Sequence, residues 1–346
     1  GAAAIWCQPI YWDMAMNAAA LAGRCGERRR AREYRELCRR IFEGERAHYA
    51  GFDFEDNNEN TGWFIYDDIM WWTISLARAY AAFGDEEYLR LSEQSFSRVW
   101  YGSERVGDTG SYDETGGGMF WRWYPISNPE PNRPGDGKMA CINFPAAVAA
   151  LTLAECVPEG RTEPAGERPV THTRERYFEM GREIYEWGVE NLFDAATGRV
   201  ADSRHGDGEP DWKSHVYNQG TFIGASVLLY RATGEGRYLT NALLAADYVM
   251  RDMSKDGILP FESGIEQGIY TAIYAQYMAM LVYDCGQRQY LPFLRHNMAA
   301  GWANRDAVRD ICGGEYARRV ERGQTVDSYS ASGIPALMLL FAMDRR

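Results

Sequence analysis

A short signature that recurs at three joints between predicted helices constrains the fold of this chain more than any other feature. Each copy begins with a glycine, at Gly84, Gly234 or Gly286, and places a Tyr-Leu pair directly after the next three residues. Glycine fits the left-handed cap that ends one helix, and the Tyr-Leu pair then falls on the first turn of the next helix. The last two copies are 52 residues apart (286 minus 234), a period that predicts an array of two-helix hairpins.

Apolar periodicity predicts helices along almost the whole chain and no convincing strand. The predicted helices cover 10–23, 28–48, 62–83, 85–101, 139–156, 172–191, 217–233, 235–253, 268–285, 287–303 and 327–343. Long connections precede the odd-numbered helices, at 49–61, 102–138, 192–216, 254–267 and 304–326. We therefore predict an all-α single domain over residues 1–346, an (α/α)6 barrel with its site among the long loops. A closed ring would have a twelfth helix, trimmed or overlooked, and an open array is the alternative.

Charge and composition exclude several classes of partner. The 346 residues carry 37 basic and 49 acidic side chains, a net charge of −12, so no nucleic-acid partner is expected. No apolar run approaches the roughly 20 residues that a membrane-spanning helix needs. The seven cysteines form no CxxC pair and are odd in number, which indicates neither a disulfide framework nor a metal site.

The segment most informative about chemistry runs from Trp63 to Trp72 and contains adjacent carboxyl groups at Asp67 and Asp68. If the helix begins near Thr61, the side chains one turn away from the pair are aromatic or aliphatic, and none is a countercharge. The pair would then lie more than one turn past the helix start, where capping is a poor explanation. Solvated surface is the alternative. Because burying unpaired carboxylates is unfavourable by several kcal/mol, we predict that the pair is functional.

Apolar surroundings and a neighbouring like charge both raise a carboxyl pKa, and they act unequally on two side chains about 100° apart around a helix. One group then keeps its proton while the other is an anion, as paired acid/base chemistry requires. Adjacent helical positions can place carboxyl groups roughly 5–6 Å apart, near the ~5–5.5 Å of retaining glycosidases and short of the ~6.5–9.5 Å of inverting ones. The residues alone do not assign the two roles.

The sequence Tyr-Asp-Asp at 66–68, followed by Trp-Trp at 71–72, resembles glycoside hydrolase family 76, the endo-α-1,6-mannanases. Three further segments match that family in order: Gly-Gly-Gly-Met-Phe-Trp at 116–121, Lys-Met-Ala-Cys-Ile-Asn at 138–143 and Tyr-Asn-Gln-Gly at 217–220. The resemblance extends from Trp12 to about Tyr283. It implies an (α/α)6 barrel, no metal or cofactor, and retention of anomeric configuration, with Asp67 as nucleophile and Asp68 as acid/base.

The predicted substrate-binding residues lie in or beside the same segments: Tyr66, Asp113, Gly117, Gly118, Trp121, Trp123, Asn143, Tyr217, Asn218 and Gln219. Glycines beside tryptophans let a ligand approach the backbone and offer flat faces for stacking, although a structural turn with core tryptophans is the alternative. Amides at the openings of odd-numbered helices can reach hydroxyl groups, although helix capping explains Asn218 equally well. For Asp113 the alternative is a solvated loop pair with Glu114.

We therefore predict a retaining endo-hydrolase of α-1,6-linked mannan or manno-oligosaccharides that acts as a monomer. A mannan transglycosylase would differ only in the acceptor, and a non-catalytic carbohydrate-binding protein on the same fold would lack turnover. An unsaturated-uronide hydrolase would need arginine or lysine around the pair, and the adjacent sequence has none. Met139 and the segment 266–270 depart from the family pattern, which leaves the particular mannan open. A polymeric substrate favours export, whereas unpaired cysteines favour a reducing compartment.

Overall fold

The computed structural model describes residues 4–56, 58, 63, 65–121, 135–264 and 266–344. The described residues form two compact units. The Asp67 unit comprises Tyr11–Phe193 and Ala201–Trp212, and the C-terminal unit comprises Gly1–Ile10, Asp194–Val200 and Lys213–Arg346. Within the described residues no helix is both long enough and apolar enough to cross a membrane.

Eleven α-helices run through the described part of the chain. They are α1 (Gln8–Arg24), α2 (Arg28–His48), α3 (Tyr66–Phe83), α4 (Glu86–Tyr101), α5 (Ala140–Cys156), α6 (Arg174–Leu192), α7 (Val216–Thr233), α8 (Gly236–Tyr248), α9 (Tyr270–Ala279), α10 (Leu291–Ala303) and α11 (Ser328–Phe341). Helices α8 and α9 each continue in one π-helical turn, Val249–Met253 and Met280–Asp284. The helices predicted from periodicity are therefore confirmed, with bounds that agree to within a few residues.

Short strands occur in two of the long loops, where none was predicted. They are β1 (Gly137–Met139), β2 (Phe193–Asp194), β3 (Arg199–Val200) and β4 (Ser203–His205). Strand β1 pairs antiparallel with β4, with Lys138 opposite Arg204. Strands of two or three residues are too short to show an alternating pattern, so periodicity could not reveal them.

The recurring glycine signature ends helices as predicted. Gly84 and Gly234 cap α3 and α7 in the left-handed conformation, and Gly286 has the same conformation after the π-turn that follows α9. The tyrosines of the three copies, Tyr88, Tyr238 and Tyr290, are all buried. The glycine thus turns the chain, and the buried tyrosine anchors the start of the returning helix.

Aromatic packing joins the first helices of the Asp67 unit. The Trp12 ring stacks on Phe42 with centroids 5.7 Å apart and meets Trp72 at 6.1 Å. The Trp12 Nε1 also donates a 3.0 Å hydrogen bond to the Cys38 carbonyl oxygen. Helix α3 packs on α4 and α5, and α5 packs on α6. Aromatic residues, which make up 14% of the sequence, therefore contribute to the core, and both tryptophans of the Trp71–Trp72 pair are buried there.

Close helix contacts organise the C-terminal unit. Helix α7 packs on α8 and α9, and α11 packs on α9 and α10. Glycines of α7 face α9, because a Cβ at Gly220 would lie 2.9 Å from the Tyr274 Cα and one at Gly224 would lie 2.2 Å from the Tyr277 ring. Side chains at these two positions would force the helices apart.

Helix α3 begins later than the sequence predicted. Trp63 lies outside the helix, and Ile65 precedes it with an extended backbone (φ −114°, ψ 121°). Residues 61, 62 and 64 fall outside the described residues. The prediction that the pair lies more than one turn into the helix is therefore wrong, since Asp67 and Asp68 stand in its first turn.

Candidate active site

The two adjacent aspartates differ in their exposure. Asp67 is buried, whereas Asp68 is half-buried. Trp121 Nε1 donates a 3.1 Å hydrogen bond to Asp67 Oδ1, and the Cys141 thiol also hydrogen-bonds to this carboxyl group. These two donors come from segments of the Asp67 unit other than α3, so the carboxyl group is held by tertiary structure.

Burial dominates the electrostatics of Asp67. It raises the pKa of this carboxyl group from 3.8 to about 7, against the opposing effect of the hydrogen bonds from the Cys141 thiol, the Asp67 backbone N–H and Trp121. The first turn of a helix also favours a negative charge, but by only about 0.3–1 kcal/mol, which is smaller than the desolvation of a fully covered carboxylate. Asp67 therefore exchanges its proton near neutral pH, so both its neutral form and its anion are accessible there.

A β-hairpin places Trp121 beside the aspartate. Its arms are joined by hydrogen bonds from Phe120 N to Ser111 O (2.8 Å) and from Asp113 N to Gly118 O (3.0 Å). The Trp121 carbonyl oxygen then accepts a 3.2 Å bond from the Tyr66 backbone N–H at the start of α3. The hairpin and the first turn of α3 are thus fixed to each other at the position of the carboxyl group.

Asn143, which was predicted to bind substrate, instead holds this hairpin from within. Its side chain is completely buried. Its Oδ1 accepts a 2.8 Å bond from Met119 N, and its Nδ2 donates to the carbonyl oxygens of Met119 (3.0 Å) and Met139 (2.8 Å). A side chain that is covered and bonded to three backbone groups cannot contact a sugar, so its role is to position Trp121 two residues further on.

The predicted glycines also have a structural explanation. Gly117 and Gly118 have φ of +66° and +73°, and a Cβ at Gly118 would lie 2.4 Å from the Trp187 ring. Trp187 Nε1 donates a 3.1 Å hydrogen bond to the Gly116 carbonyl oxygen. The alternative of a structural turn therefore describes these glycines, and Trp187, which sequence reasoning missed, is the side chain that packs against them.

Asp113 is paired within the protein. Lys138 Nζ lies 2.6 Å from its Oδ2 and 2.5 Å from the Gly117 carbonyl oxygen, and it sits 4.9 Å from the centroid of the Phe120 ring. Partial burial is the largest single influence on Asp113 and raises its pKa, but the bond and charge of Lys138 and the backbone N–H groups of Gly116 and Thr115 together lower the carboxyl pKa below its usual value. Asp113 thus forms an ion pair that closes the hairpin turn, and its contact with sugar stays a prediction.

Tyr66, another predicted binding residue, belongs to a buried ion-pair network. It is fully buried, and its hydroxyl group donates a hydrogen bond to Asp108. Asp108 also forms a salt bridge with Arg98, and both of these side chains are at most 3% exposed. Arg98 Nε donates a further 3.0 Å bond to the Phe54 carbonyl oxygen. Tyr66 and Asp67 are therefore neighbours in α3 that belong to different clusters. The Tyr66 hydroxyl group bonds to the Asp108 carboxyl group, whereas Asp67 carries the carboxyl group of the candidate site.

The predicted residues of α7 lie in the C-terminal unit and are internal. Gln219 is fully buried, with Oε1 accepting from Val200 N (2.6 Å) and Nε2 donating to the carbonyl oxygens of Gly198 (3.0 Å) and Ala245 (3.1 Å). Asn218 is also fully buried. Gln219 therefore stabilises the backbone of its own unit, whereas binding of sugar by Asn218 stays a prediction. Trp123, the remaining predicted binding residue, lies outside the described residues.

Tyr217 belongs to a partly exposed group of rings in the C-terminal unit. Its ring centroid lies 4.1 Å from that of Tyr270 and 6.5 Å from that of Trp6. His215 Nδ1 lies 2.6 Å from Glu262 Oε1 beside these rings. Tyr217 itself is mostly covered, whereas Trp6 and Tyr270 are half-buried and accessible. In the sequence, the aromatic and acidic residues close to Tyr270 are the signal that could have identified the other members of this group of rings.

The sequence model of glycosyl hydrolase family 76 matches residues 2–340 of the chain. No curated protein matches it. Among solved structures, the GH76A α-1,6-mannanase of Salegentibacter sp. HEL1_6 is 24% identical with a TM-score of 0.75, over 99% of this chain and 90% of that one. A family 76 mannosidase from Bacteroides thetaiotaomicron VPI-5482 is 18% identical with a TM-score of 0.76, over 98% of this chain and 87% of that one.

An inactive variant of the Salegentibacter enzyme, with two consecutive aspartates replaced by asparagine, is similar as well. It was solved in complex with α-1,6-mannotriose and matches with 21% identity and a TM-score of 0.76, over 98% of this chain and 89% of that one. Likeness of this extent shows that the chain has the fold of these proteins, an (α/α)6 barrel, so the predicted fold class is confirmed. The single-domain assignment stays a prediction.

Proposed function

This chain belongs to glycosyl hydrolase family 76, and we propose that it is a retaining endo-hydrolase of α-1,6-linked mannan with Asp67 and Asp68 as its catalytic pair. One observation carries the proposal: Asp67 is buried, its pKa is raised to about 7, and the groups that oppose this shift among the described residues are neutral hydrogen-bond donors. A structural carboxylate at such a depth is normally paired with a cation. The similar enzymes supply the substrate class, since one of them binds α-1,6-mannotriose.

In the first step, the Asp67 carboxylate attacks the anomeric carbon while the bond from that carbon to the leaving oxygen breaks. Asp68 gives its proton to the leaving oxygen in the same step. In the second step, Asp68 takes a proton from water, and the water oxygen displaces Asp67 from the anomeric carbon. The half-buried position of Asp68 suits a group that meets leaving groups and water, and the buried position of Asp67 suits one that bonds to carbon.

The hydrogen bond from Trp121 Nε1 to Asp67 Oδ1 has two consequences for this reaction. It fixes the orientation of the carboxyl group, and it stabilises the anion in which Asp67 attacks. A nucleophile with a pKa of about 7 must first lose its proton, so kcat/KM should fall as the pH decreases below about 7. This acid limb follows directly from the proposed role.

The direct test is hydrolysis of linear α-1,6-mannan, with the anomer of the initial product followed by proton NMR. We expect α-configured reducing ends and internal cleavage, and replacement of either aspartate by asparagine should lower kcat by at least about 10³-fold. Near-normal turnover by either variant, or initial products of β configuration, would reject the proposal. Products longer than the substrate would indicate transfer to a sugar instead of water.

The order of the two roles is tested with azide and an aryl α-1,6-mannobioside whose leaving group needs no proton. With Asp68→Ala, azide should intercept the glycosyl-enzyme and give an α-mannosyl azide. With Asp67→Ala, azide should attack the substrate itself and give a β-mannosyl azide. The opposite pairing of variants and products would exchange the two roles.

A further inference from the structure

A cavity in the C-terminal unit is lined by none of the residues that form the site around Asp67. It lies between the loop 313–327 and the start of α11, and its volume is about 220 Å³. The lining includes Phe261, Gly314, Arg319 and Asp327. An apolar cavity of ~150 Å³ holds a benzene molecule, so this cavity has room for one pyranose ring with its substituents.

We propose that this cavity binds one neutral mannosyl unit of the polysaccharide. The charges of its lining carry the first step. Two arginines, Arg318 and Arg319, stand against two carboxylates, Glu315 and Asp327. Arg318 Nη1 lies 3.6 Å from Glu315 Oε2, so one arginine is already paired. An anionic ligand would gain little from a lining with balanced charges, whereas a neutral polar ligand is suited to it.

The second step rests on the aromatic ring beside these polar groups. Phe261 is 52% exposed, which is unusual for a large apolar side chain. A pyranose presents C–H groups on its faces and hydroxyl groups around its edge, so it can pack on an exposed ring while its edge meets hydrogen-bonding groups. An exposed phenylalanine beside polar side chains therefore matches both surfaces of a sugar.

The third step concerns the groups that would meet the hydroxyls. Arg319 makes no hydrogen bond or ion pair with the residues that the structure describes, so all five of its N–H donors remain available. Asp327, by contrast, is committed to α11, since it accepts bonds from Ser330 N (2.8 Å) and Ser330 Oγ (2.9 Å). Arg319 and Phe261 are therefore the two side chains on which binding should depend.

The test is affinity electrophoresis through gels that contain α-1,6-mannan, because migration reports binding without turnover. The protein carries Asp67→Asn and Asp68→Asn so that the polymer is not cleaved. Adding Phe261→Ala or Arg319→Ala should weaken the affinity about three- to tenfold. Two matched exposed positions outside the lining, Val308→Ala and Arg322→Ala, should leave the affinity unchanged.

The proposal would be overturned if all four variants bound mannan with equal affinity. It would also be overturned if gels that contain the anionic polymer heparin retarded the protein in a way that depends on Arg319, while mannan gels did not retard it. The inference rests on the proposed substrate class, and hydrolysis by the unmodified protein separates the two proposals. If the unmodified protein hydrolyses mannan and the cavity variants keep their affinity, the cavity proposal is wrong and the proposed function stands. If the cavity variants lose affinity and the unmodified protein does not hydrolyse mannan, the cavity proposal stands and the proposed function is wrong.

Discussion

Two buried aspartates of the Asp67 unit are stabilised in opposite ways. Asp108 forms a covered salt bridge with Arg98 and accepts a hydrogen bond from the Tyr66 hydroxyl group. Asp67 is also buried, but its hydrogen-bond donors among the described residues, such as Trp121, are neutral, and its pKa rises to about 7. Neutralising a buried charge with a cation fixes a fold, whereas leaving it to neutral donors keeps a proton exchangeable. The difference indicates a structural role for Asp108 and supports the proposed chemical role of Asp67.

Removing the cation should have the largest effect on stability. Arg98→Met leaves the Asp108 carboxylate buried without its cation and should lower the free energy of unfolding by about 3–5 kcal/mol. The control is Arg46→Met, which breaks an exposed pair with Glu87 (3.1 Å) and should change it by about 0–1 kcal/mol. Urea denaturation of both variants measures the two values. Equal losses would contradict the contrast between neutralised and exposed charges.

Removing the charge at the other aspartate should stabilise the protein, in a pH-dependent manner. The pKa of Asp67 is about 7 when folded and close to 3.8 when unfolded, so the folded state binds more protons and the wild type loses stability as the pH rises from about 4 to about 7. Asp67→Asn avoids this loss and should be more stable by about 2–4 kcal/mol at pH 8. At pH 4 the gain should vanish.

The stability of Asp108→Asn at the same two pH values should be compared with that of Asp67→Asn. This variant removes a charge that Arg98 neutralises, so it should destabilise the protein at pH 8, opposite to Asp67→Asn. Guanidinium denaturation at both pH values records the two signs. If both variants shift stability in the same direction, the two aspartates do not differ in the way their surroundings indicate.

Removing the Asn143 hydrogen bonds that hold the hairpin should have an intermediate effect on stability. Asn143→Leu leaves three buried backbone groups of Met119 and Met139 without their partner and should lower stability by about 2–3 kcal/mol. It should also lower kcat more than it raises KM, because Trp121 moves relative to Asp67. The control is Gln94→Leu, a half-buried amide that bonds to Arg90 alone among the described residues, with an expected change of about 0–1 kcal/mol. Equal losses of stability in both variants would contradict the role of Asn143 in holding the hairpin.

The smallest predicted effect bears most directly on mechanism. Trp121→Phe removes the N–H bond that favours the Asp67 anion and should raise its pKa further, by about one unit. With Asp67 as nucleophile, the acid limb of kcat/KM should move to higher pH. The pH profile of the purified variant is the measurement. Movement of the alkaline limb instead would mean that Asp67 acts as the proton donor.

The sequence predicted the helices well because their signals are local. Apolar periodicity and the capping glycines at Gly84 and Gly234 act within a few residues of the elements that they define. The start of α3 was misplaced because the apolar residues before it fit a helical pattern. What sets the start is extended backbone at Ile65 and a hydrogen bond from Tyr66 to Trp121, 55 positions away (121 minus 66). No local pattern carries that information.

The candidate site was predicted only in part, because some of its features depend on local sequence and others on contacts between distant residues. The absence of a countercharge near Asp67 in sequence correctly indicated a raised pKa, although the helix register behind that reasoning was wrong. The amides were misassigned because a sequence does not show whether Asn143 or Gln219 faces ligand or backbone. The ion pair of Arg98 with Asp108 was missed, although an arginine on the apolar side of α4 was a usable signal.

The thiol of Cys141 makes the protonation of its neighbour observable without any label. Its hydrogen bond reaches the carboxyl group of Asp67. The S–H stretching band lies in an infrared window that amide and water absorptions leave clear, and its frequency falls when the acceptor becomes an anion. Difference spectra between the unmodified protein and Cys141→Ala, recorded along a pH series, would isolate this one band from those of the other thiols. The vibration would then follow the charge of a single carboxyl group as sugar enters and leaves.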